Sequence, residues 1–228
     1  LNSSAASDVY KRQVLNNPNK PVAAIIGGSK VSTKINVINF LLKKMDIIII
    51  GGAMANTFVA AKGLDVGKSL FERECINLAK ELIEKSQKNN CNLILPTDFI
   101  VSKNLKKNAE YTTANFDSLP HNMMALDIGP KSIELINKNI NNCKTILWNG
   151  PLGAFETYPF DKGTNKVASH VSSLTKQKKI LSVAGGGDTV SALNNAKVLN
   201  DFSYVSTAGG AFLEWLEGKV LPGIEPIS

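Results

Sequence analysis

The chain alternates short, uninterrupted apolar runs with segments whose apolar residues recur every three or four positions. Uninterrupted runs are typical of strands buried on both faces, and the longer period is typical of helices with one apolar face. The predicted strands are Val22–Ile26, Ile47–Ile50, Leu93–Leu95, Thr145–Trp148, Ile180–Ala184 and Tyr204–Ser206. This alternation predicts the α/β class, as a doubly wound, Rossmann-like parallel sheet of about six strands with helices on both faces.

Helical stripes are clearest around Ile35–Leu42, Cys75–Ile83 and Ile133–Ile140. Residues 1–13 show neither pattern and are rich in Ser and Ala. We therefore expect them to be a non-homologous leader, artefactual or disordered, and residues 14–228 to form the folded domain.

Five of the predicted strands are followed by loops that contain glycines. In a parallel sheet the loops after the strands meet at one edge, where ligands bind. Glycine lets a backbone approach a ligand closely, and helix N-termini attract anions. A polyphosphate site at this edge is the interpretation we favour, although any single loop could be only a tight turn. The loops are Gly27-Gly28, Gly51-Gly52, Asn149-Gly150-Pro151, Gly185-Gly186-Gly187 and Gly209-Gly210.

Two lysines strengthen the phosphate prediction. Lys30 and Lys34 are four residues apart at the expected start of the first helix of the domain, so we expect both on one face. A cation at a helix N-terminus opposes the helix dipole by roughly 0.3 to 1 kcal/mol. A bound phosphate would reverse that cost, which favours a ligand role for both.

Two carboxylates have candidate roles at the same edge. Asp188 could cap a helix over Thr189–Ala196, and it could equally hold Mg²⁺, which takes one or two carboxylates together with phosphate oxygens and water. Both interpretations stay open on local grounds. Glu156 would lie beyond the phosphates, where a carboxylate commonly accepts hydrogen bonds from ribose hydroxyls.

Other motifs are weaker. The segment Gly63–Ser69 resembles a P-loop but is one residue short between its glycines and follows no apolar strand, so we reject it. His121 and His170 have no partner at ligand spacing, which favours surface or structural roles. Cys75, Cys91 and Cys143 have no paired spacing and are expected to be reduced core thiols.

Composition narrows the class of protein. The chain has 228 residues, 43% of them apolar, and a net charge of +7. No apolar run approaches the length of a membrane span, so we expect a cytoplasmic protein without a membrane partner. The basic residues are dispersed lysines without interleaved aromatic residues, so nucleic acid is the weaker partner prediction.

Six motifs in order resemble phosphoglycerate kinase, from about Leu15 to the C-terminus. They are Gly27–Lys34, Gly52–Phe58, Leu126–Pro130, Trp148–Glu156, Gly185–Thr189 and Ser206–Ala211. The resemblance covers only the nucleotide-binding half of a two-domain kinase. It implies reversible phosphoryl transfer from 1,3-bisphosphoglycerate to Mg-ADP, giving 3-phosphoglycerate and ATP in glycolysis. It also implies that the substrate domain, with its essential Arg and His residues, is absent and that this half is a monomer, inactive alone.

The resemblance also assigns roles to individual residues. Those implied in catalysis are Lys30, Gly187 and Gly210, and Asp188 would bind Mg²⁺. Those implied in binding ADP or ATP are Lys34, Gly51, Gly52, Ala125, Leu126, Asn149, Pro151, Glu156, Gly186, Gly187, Asp188 and Thr189. Ala53, Ala125 and Ala208 stand where many members have Gly, which leaves the details of the adenine contacts open.

Two alternatives remain. One is a stand-alone adenine-nucleotide-binding module without catalysis. The other, ranked last, is a basic nucleic-acid-binding domain whose affinity would fall steeply with salt.

Overall fold

The computed structural model describes residues 3–219 and forms strands from the apolar runs of the sequence. The strands are β1 (Val22–Ile26), β2 (Ile47–Ile50), β3 (Asn92–Ile94), β4 (Asp98–Ser102), β5 (Thr112–Asn115), β6 (Met124–Ile128), β7 (Thr145–Asn149), β8 (Leu181–Gly185) and β9 (Tyr204–Ser206). The helices are α1 (Ser3–Leu15), α2 (Ile35–Leu41), α3 (Met54–Ala61), α4 (Ile76–Lys88), α5 (Pro130–Asn141), α6 (Lys162–Lys176), α7 (Gly187–Asn195) and α8 (Gly209–Leu216). Short 3-10 helices, Arg73–Cys75 and Leu199–Asp201, precede α4 and β9.

The six predicted strands form one parallel sheet in the order β3-β2-β1-β7-β8-β9. The chain runs outwards from β1 to β3, returns to place β7 beside β1, and then runs outwards in the other direction to β9. The doubly wound prediction is therefore confirmed. The reversal lies between β1 and β7, which is where this class of sheet binds its ligands.

The position of β1 inside the sheet explains why its sequence is apolar throughout. Its five residues are fully buried, and successive side chains point to opposite faces of the sheet. Val22, Ala24 and Ile26 join one core cluster, which includes residues of α1, α2, α3, α4 and α8. Ala23 and Ile25 join the other, with residues of α5, α6 and α7. Both faces of the sheet are thus covered by helices.

A second, three-stranded antiparallel sheet in the order β5-β4-β6 was not among our predictions. It is anchored at the start of α5 by Asp98, which is fully buried. The carboxylate of Asp98 accepts hydrogen bonds from the backbone N–H groups of Lys131 (3.0 Å) and Ser132 (2.8 Å). This anchor fixes the position of the small sheet relative to the large one.

Helix α1 occupies much of the segment expected to be a disordered or artefactual leader. Val14 and Leu15 at its end are buried in the core, and the ring of Tyr10 stacks on Tyr204 with centroids 5.5 Å apart. Residues 1–2 of that segment, and residues 220–228 of the predicted domain, lie outside the described residues. The placing of a boundary after residue 13 stays a prediction.

The first helix after β1 begins later than we predicted. Helix α2 starts at Ile35, so Lys30 lies in the preceding loop and Lys34 is the N-cap residue. The backbone N–H and the hydroxyl of Ser32 both donate to the carboxylate of Glu72, which holds this segment in a turn. The prediction that Lys30 and Lys34 share one helix face is therefore wrong.

The helix after β8 begins earlier than we predicted. Gly186 is its N-cap residue, with a positive φ of 101°, and α7 runs over Gly187–Asn195 instead of Thr189–Ala196. Asp188 is thus the second residue of the helix and is not its N-cap residue. The capping interpretation of Asp188 is wrong.

Two simpler predictions have clear outcomes. Cys75, Cys91 and Cys143 are free and buried, as expected of core thiols. His121 is exposed, and its Nδ1 lies 2.5 Å from the carboxylate of Asp65. Over residues 3–219, the helices are all too short or too polar to span a bilayer.

Candidate functional site

The loops that follow β1, β2 and β7 are joined backbone to backbone at the carboxyl edge of the large sheet. The N–H of Gly28 donates to the carbonyl of Pro151 (3.1 Å), and the N–H of Gly52 donates to the carbonyl of Leu152 (3.0 Å). These bonds connect three crossovers of the chain. They leave a continuous backbone surface at the point where the strand order reverses.

Glycine is required here by space as well as by conformation. Gly52 has a φ of 72°, and a Cβ added to it would overlap the backbone of Gly28. Gly150 has a φ of 98°, and its Cβ would lie 3.0 Å from Lys34 Nζ while overlapping Gly27. Side chains at these positions would separate the loops.

Lys34 and Asn149 form the polar centre of this edge. Lys34 Nζ donates to Asn149 Oδ1, although the two residues are 115 positions apart in the chain. The amide nitrogen of Asn149 donates to the carbonyl of Gly185 (2.9 Å). The Asn149 side chain, 2% exposed, therefore links the ends of β7 and β8 and fixes the ammonium group of Lys34 above the strand ends.

Lys34 is held in an environment that disfavours its charge. Burial lowers the pKa of the Lys34 ammonium to about 8, against the opposing attraction of the Asp188 carboxylate. Below that pH the group is a partly desolvated cation, and such a cation gains strongly from an anionic ligand. The edge is thus prepared for a phosphate.

The N-terminus of α7 lies next to this lysine. The Thr189 hydroxyl accepts a hydrogen bond from the N–H of Gly150 (2.7 Å), which ties α7 to the loop after β7. A Cβ at Gly209, the first residue of α8, would lie 3.7 Å from the backbone nitrogen of Gly187. Two helix N-termini therefore meet at one place, and both favour anions there.

Asp188 is the candidate metal ligand. Its side chain is exposed, lies in the first turn of α7 and borders the adjoining cavity. A carboxylate oxygen beside a phosphate position is the donor that Mg²⁺ takes, with phosphate oxygens and water completing its shell. The donor set at this position fits a magnesium ion that enters with a nucleotide.

A cavity of about 360 Å³ opens beside the strand edge, between the large sheet and the small one. Six of its lining residues were predicted as site residues: Gly52, Ala125, Leu126, Pro151, Glu156 and Asp188. Its walls are mostly apolar, with a few polar groups, which is typical of small-molecule sites.

The remaining predicted site residues lie along the strand edge, outside the cavity lining. Lys34, Asn149 and Thr189 are brought together, as described. Gly51 is buried, Gly186 is the N-cap residue of α7, Gly187 is its first residue, and Gly210 is in the first turn of α8. Lys30 stands apart: its side chain is exposed in the loop after β1.

Several lining residues were given no role by sequence reasoning, and Phe99, Met124 and Asp127 among them lie on the small sheet, which was not predicted. They are Asn56, Leu70, Phe99, Leu105, Met124, Asp127, Leu152 and Phe155. Asp127 had a usable signal, since a lone carboxylate within an apolar strand needs partners. It is 3% exposed and accepts hydrogen bonds from the N–H groups of Gly163 and Ile128, both at 2.8 Å. Burial raises its pKa well above the usual value.

The fold and the site together define a doubly wound α/β protein with a glycine-rich strand edge that carries a buried lysine and two helix N-termini, and with an adjoining, mostly apolar cavity. Comparison with known proteins specifies the family. The family model described as Phosphoglycerate kinase matches residues 8–219. The chain belongs to the phosphoglycerate kinase family, and its relatives are kinases, as the resemblance implied.

Individual relatives agree with this assignment. The chain is 53% identical over 211 residues to the phosphoglycerate kinase of Sinorhizobium fredii and 54% identical to that of Brucella melitensis, covering 92% of this chain in each case. The solved phosphoglycerate kinase structure from Coxiella burnetii superposes with a TM-score of 0.91 at 42% identity, over 95% of this chain and 56% of that one. The chain spans about half the length of the curated relatives it matches, 53% for the two named here.

Proposed function

We propose that this chain binds Mg-ADP and Mg-ATP, and that it serves reversible phosphoryl transfer from 1,3-bisphosphoglycerate to ADP in glycolysis. The observation that carries the proposal is the position of Lys34. Its ammonium group is fixed by Asn149 beside the N-terminus of α7 and next to an apolar cavity. A nucleoside diphosphate has the matching shape, with charge at one end and a flat apolar base at the other.

The phosphates would lie on the strand edge. Lys34 would pair with phosphate oxygens, while Gly186, Gly187 and Thr189 would offer the N–H groups of the first turn of α7. Phosphates also favour the charged form of Lys34, so nucleotide binding would raise its pKa again.

Transfer of the phosphoryl group needs positioning and charge stabilisation more than covalent chemistry. The exposed Lys30 side chain would reach the group in transfer from the loop after β1. The backbone N–H groups of Gly187 and Gly210, at the two adjacent helix N-termini, would stabilise the charge that develops on it.

The base and ribose would occupy the cavity. Gly51, Gly52, Ala125 and Leu126 would bound the adenine, and Glu156 would accept hydrogen bonds from the ribose. Asn149 and Pro151 would flank the nucleotide. Asp188 would hold Mg²⁺, which supplies charge neutralisation on the phosphate oxygens when bound.

Phosphoglycerate would be bound by residues beyond this chain, since the chain matches about half of its relatives' length. We accordingly propose that the chain binds nucleotide as a cytoplasmic monomer and does not turn over alone. The competing candidate is a stand-alone nucleotide-binding module.

Calorimetric titration of the 228-residue chain with ADP, with and without Mg²⁺, tests the proposal. Saturable binding that strengthens with Mg²⁺ is expected, and Asp188→Ala should abolish the Mg²⁺ effect. Asp117→Ala is the matched control, because this exposed aspartate lies in the turn after β5, outside the cavity lining. Failure of the folded chain to bind ADP would refute the proposal.

A coupled assay separates the kinase from the stand-alone module. Mixing the chain with the substrate-binding half of a relative should produce turnover that neither piece shows by itself. Turnover by the chain alone would contradict the proposed division of labour. Nucleotide binding that never leads to turnover on mixing would favour the module.

A further inference from the structure

Asp127, on β6, is a buried carboxylate in the wall of the cavity. It is 3% exposed, and its oxygens accept hydrogen bonds from the backbone N–H groups of Ile128 and Gly163, both at 2.8 Å. Ile128 is its neighbour in the strand, but Gly163 is 36 positions away, in the first turn of α6. The carboxylate therefore joins β6 to the start of α6.

The hydrogen bond to Gly163 takes the place of a local helix cap. The first N–H groups of a helix have no partner within the helix, and the side chain of the N-cap residue is their usual acceptor. The N-cap residue of α6 is Asp161, a residue type suited to this role, but its side chain makes no capping hydrogen bond. Asp127 supplies an acceptor from a different strand, so the position of the start of α6 is set by β6.

Two glycines make room for this carboxylate. A Cβ at Gly153 would lie 2.4 Å from Asp127 Oδ1, and a Cβ at Gly163 would lie 2.5 Å from the same atom. Neither glycine has a positive φ, so space and not backbone conformation is the reason that a side chain is excluded. The loop after β7, which contains Gly153, and the start of α6 thus both pack directly against the carboxylate.

Two further hydrogen bonds connect the same three elements. The N–H of Leu152 donates to the hydroxyl of Thr164 on α6 (3.0 Å), and the N–H of Ala154 donates to the carbonyl of Leu126 on β6 (2.8 Å). The loop after β7 is therefore bonded to α6 and to β6, and Asp127 bonds α6 to β6. Together the three bonds form a closed triangle, and Asp127 makes one of its sides.

This triangle bears on the cavity because the bonded loop is one of the cavity walls. Residues 151–157 line it, and they include Glu156, the proposed ribose contact. Burying a carboxylate is unfavourable, and burial accordingly raises the pKa of Asp127 well above its usual value. An apolar side chain would avoid that penalty, but it could accept neither N–H. The carboxylate is the group that can hold α6, and through it the loop, in one position.

We propose that Asp127 is a positioning residue for the nucleoside, which holds the wall formed by residues 151–157 against the base and ribose. This inference rests on the proposed function, nucleotide binding in the cavity. The phosphates are assigned to other groups, Lys34 and the first turn of α7. The strand edge is also held by its own backbone bonds, from Gly28 and Gly52 to the loop after β7. Loss of the Asp127 bond should therefore weaken nucleoside binding and leave phosphate binding unchanged.

The test compares a ligand that fills both parts of the site with one that fills only the strand edge. The 228-residue chain and its Asp127→Asn variant are titrated with the Mg²⁺ complexes of ADP and of inorganic pyrophosphate. Asparagine keeps the size of the side chain, but its NH₂ group has to face one of the two N–H donors. ADP affinity is expected to fall about fivefold, or about 1 kcal/mol, and pyrophosphate affinity should stay within about twofold.

A matched control separates positioning from stability. The carboxylate of Asp46, just before β2, also accepts a backbone N–H bond, from Val22 (2.8 Å), but it does so at the opposite edge of the large sheet. Asp46→Asn should lower the free energy of unfolding, as Asp127→Asn does, and should leave the affinity of ADP relative to pyrophosphate within about twofold. The same fall of relative affinity in both variants would show that it reports lost stability, and would overturn the proposal.

Thr164→Val tests another side of the triangle. It removes the acceptor for the N–H of Leu152 and keeps the shape of a fully buried side chain. ADP affinity should again fall, by about threefold to fivefold, while pyrophosphate affinity stays within about twofold. If Asp127→Asn does not fold, judged by circular dichroism, this variant decides, because the proposal requires each side of the triangle to act on ADP alone. Unchanged ADP affinity in Thr164→Val would overturn it.

The remaining outcomes are distinguishable. Failure of ADP to bind the unmodified, folded chain overturns the proposed function. Equal losses of ADP and pyrophosphate affinity in Asp127→Asn overturn the positioning role and leave the proposed function standing, and so does unchanged ADP affinity in that variant. If the unmodified chain binds ADP but not pyrophosphate, the strand edge does not hold phosphates independently of the cavity, and the positioning role is overturned as well.

Discussion

The two ends of the site are built differently. The strand edge is made of backbone: loops after β1, β2 and β7 bond to one another, and their glycines leave no space for a side chain. The cavity is lined mainly by side chains of the small sheet, of α3 and of the surrounding loops, some of them exposed, such as Leu70 and Leu105. A substitution in the end fixed by backbone geometry should therefore cause a large loss of stability. A substitution in the end fixed by side chains should cause only a small loss of ligand affinity.

The largest expected effect is on the backbone end. Gly52→Ala should lower the free energy of unfolding by about 3 kcal/mol or more, because it adds overpacking of roughly 1–3 kcal/mol to a strained positive φ. Urea denaturation measures this change. Gly187→Ala is the control, since a Cβ there meets nothing within 4 Å and its effect should stay within about 1 kcal/mol. Equal losses of unfolding free energy in the two variants would show that Gly52 is not required by space and conformation.

The second effect concerns affinity. Lys34→Met should weaken ADP binding by about tenfold to a hundredfold, because a charge-assisted hydrogen bond is worth roughly 1.5–3 kcal/mol. Lys30→Met should change ADP affinity by less than about twofold, since its side chain is exposed and is proposed to act on the group in transfer. Calorimetry compares the two. A larger loss in Lys30→Met would reverse their assigned roles.

A third prediction follows from the pKa of Lys34, about 8. ADP affinity should fall as pH rises from 7 to 9, by up to about tenfold, because the ammonium loses its proton. The profile of Lys34→Met should be flat over this range. A flat profile in the unmodified chain would remove Lys34 from the phosphate contacts.

Without nucleotide, Lys34 should make the free energy of unfolding change with pH in the direction opposite to the change in ADP affinity. The unfolded chain, with a lysine pKa near 10.5, binds more protons than the folded chain between about pH 8 and 10.5, so Lys34 makes the free energy of unfolding rise with pH there. Burial raises the thiol pKa of Cys91 and of Cys143 to about 11, and these groups act in the other direction. The difference between the unmodified chain and Lys34→Met isolates the lysine.

The smallest effect is expected at the cavity mouth. Leu105 is 52% exposed, so Leu105→Ala should weaken ADP binding only about threefold, roughly 0.6 kcal/mol of lost apolar contact. Val9→Ala, a similarly exposed residue on α1, should change nothing. A loss of ADP affinity in Leu105→Ala as large as that in Lys34→Met would show that the cavity is as sensitive to substitution as the strand edge.

The same contrast decides how much could be predicted from the sequence. The large sheet was predictable because its strands are apolar without interruption, and the strand edge followed from the glycines. Strand β5 was not predictable: Thr112, Thr113 and Asn115 are exposed, so nothing in its pattern distinguishes it from a loop. Without the small sheet, the second wall of the cavity could not be foreseen.

The site residues divide in the same way. Lys34 and Asn149 were predicted individually, but their contact depends on β1 lying beside β7. Asn56 lies within the motif Gly52–Phe58 but was given no role, because its burial and its hydrogen bond to the carbonyl of Leu70 become visible only after α3 and the loop at Leu70 are in place. Positions fixed by local turn chemistry can be predicted, and pairings across the fold require the fold.

The hydrogen bond between Lys34 and Asn149 also has a kinetic consequence. It joins residues 115 positions apart, and it can form only after β7 has inserted beside β1. Closing so long a loop costs entropy before any contact rewards it, which makes such pairings slow. During refolding, the first half of the chain can collapse around β1, β2 and β3, but the capacity to hold a phosphate arises only when the second half arrives.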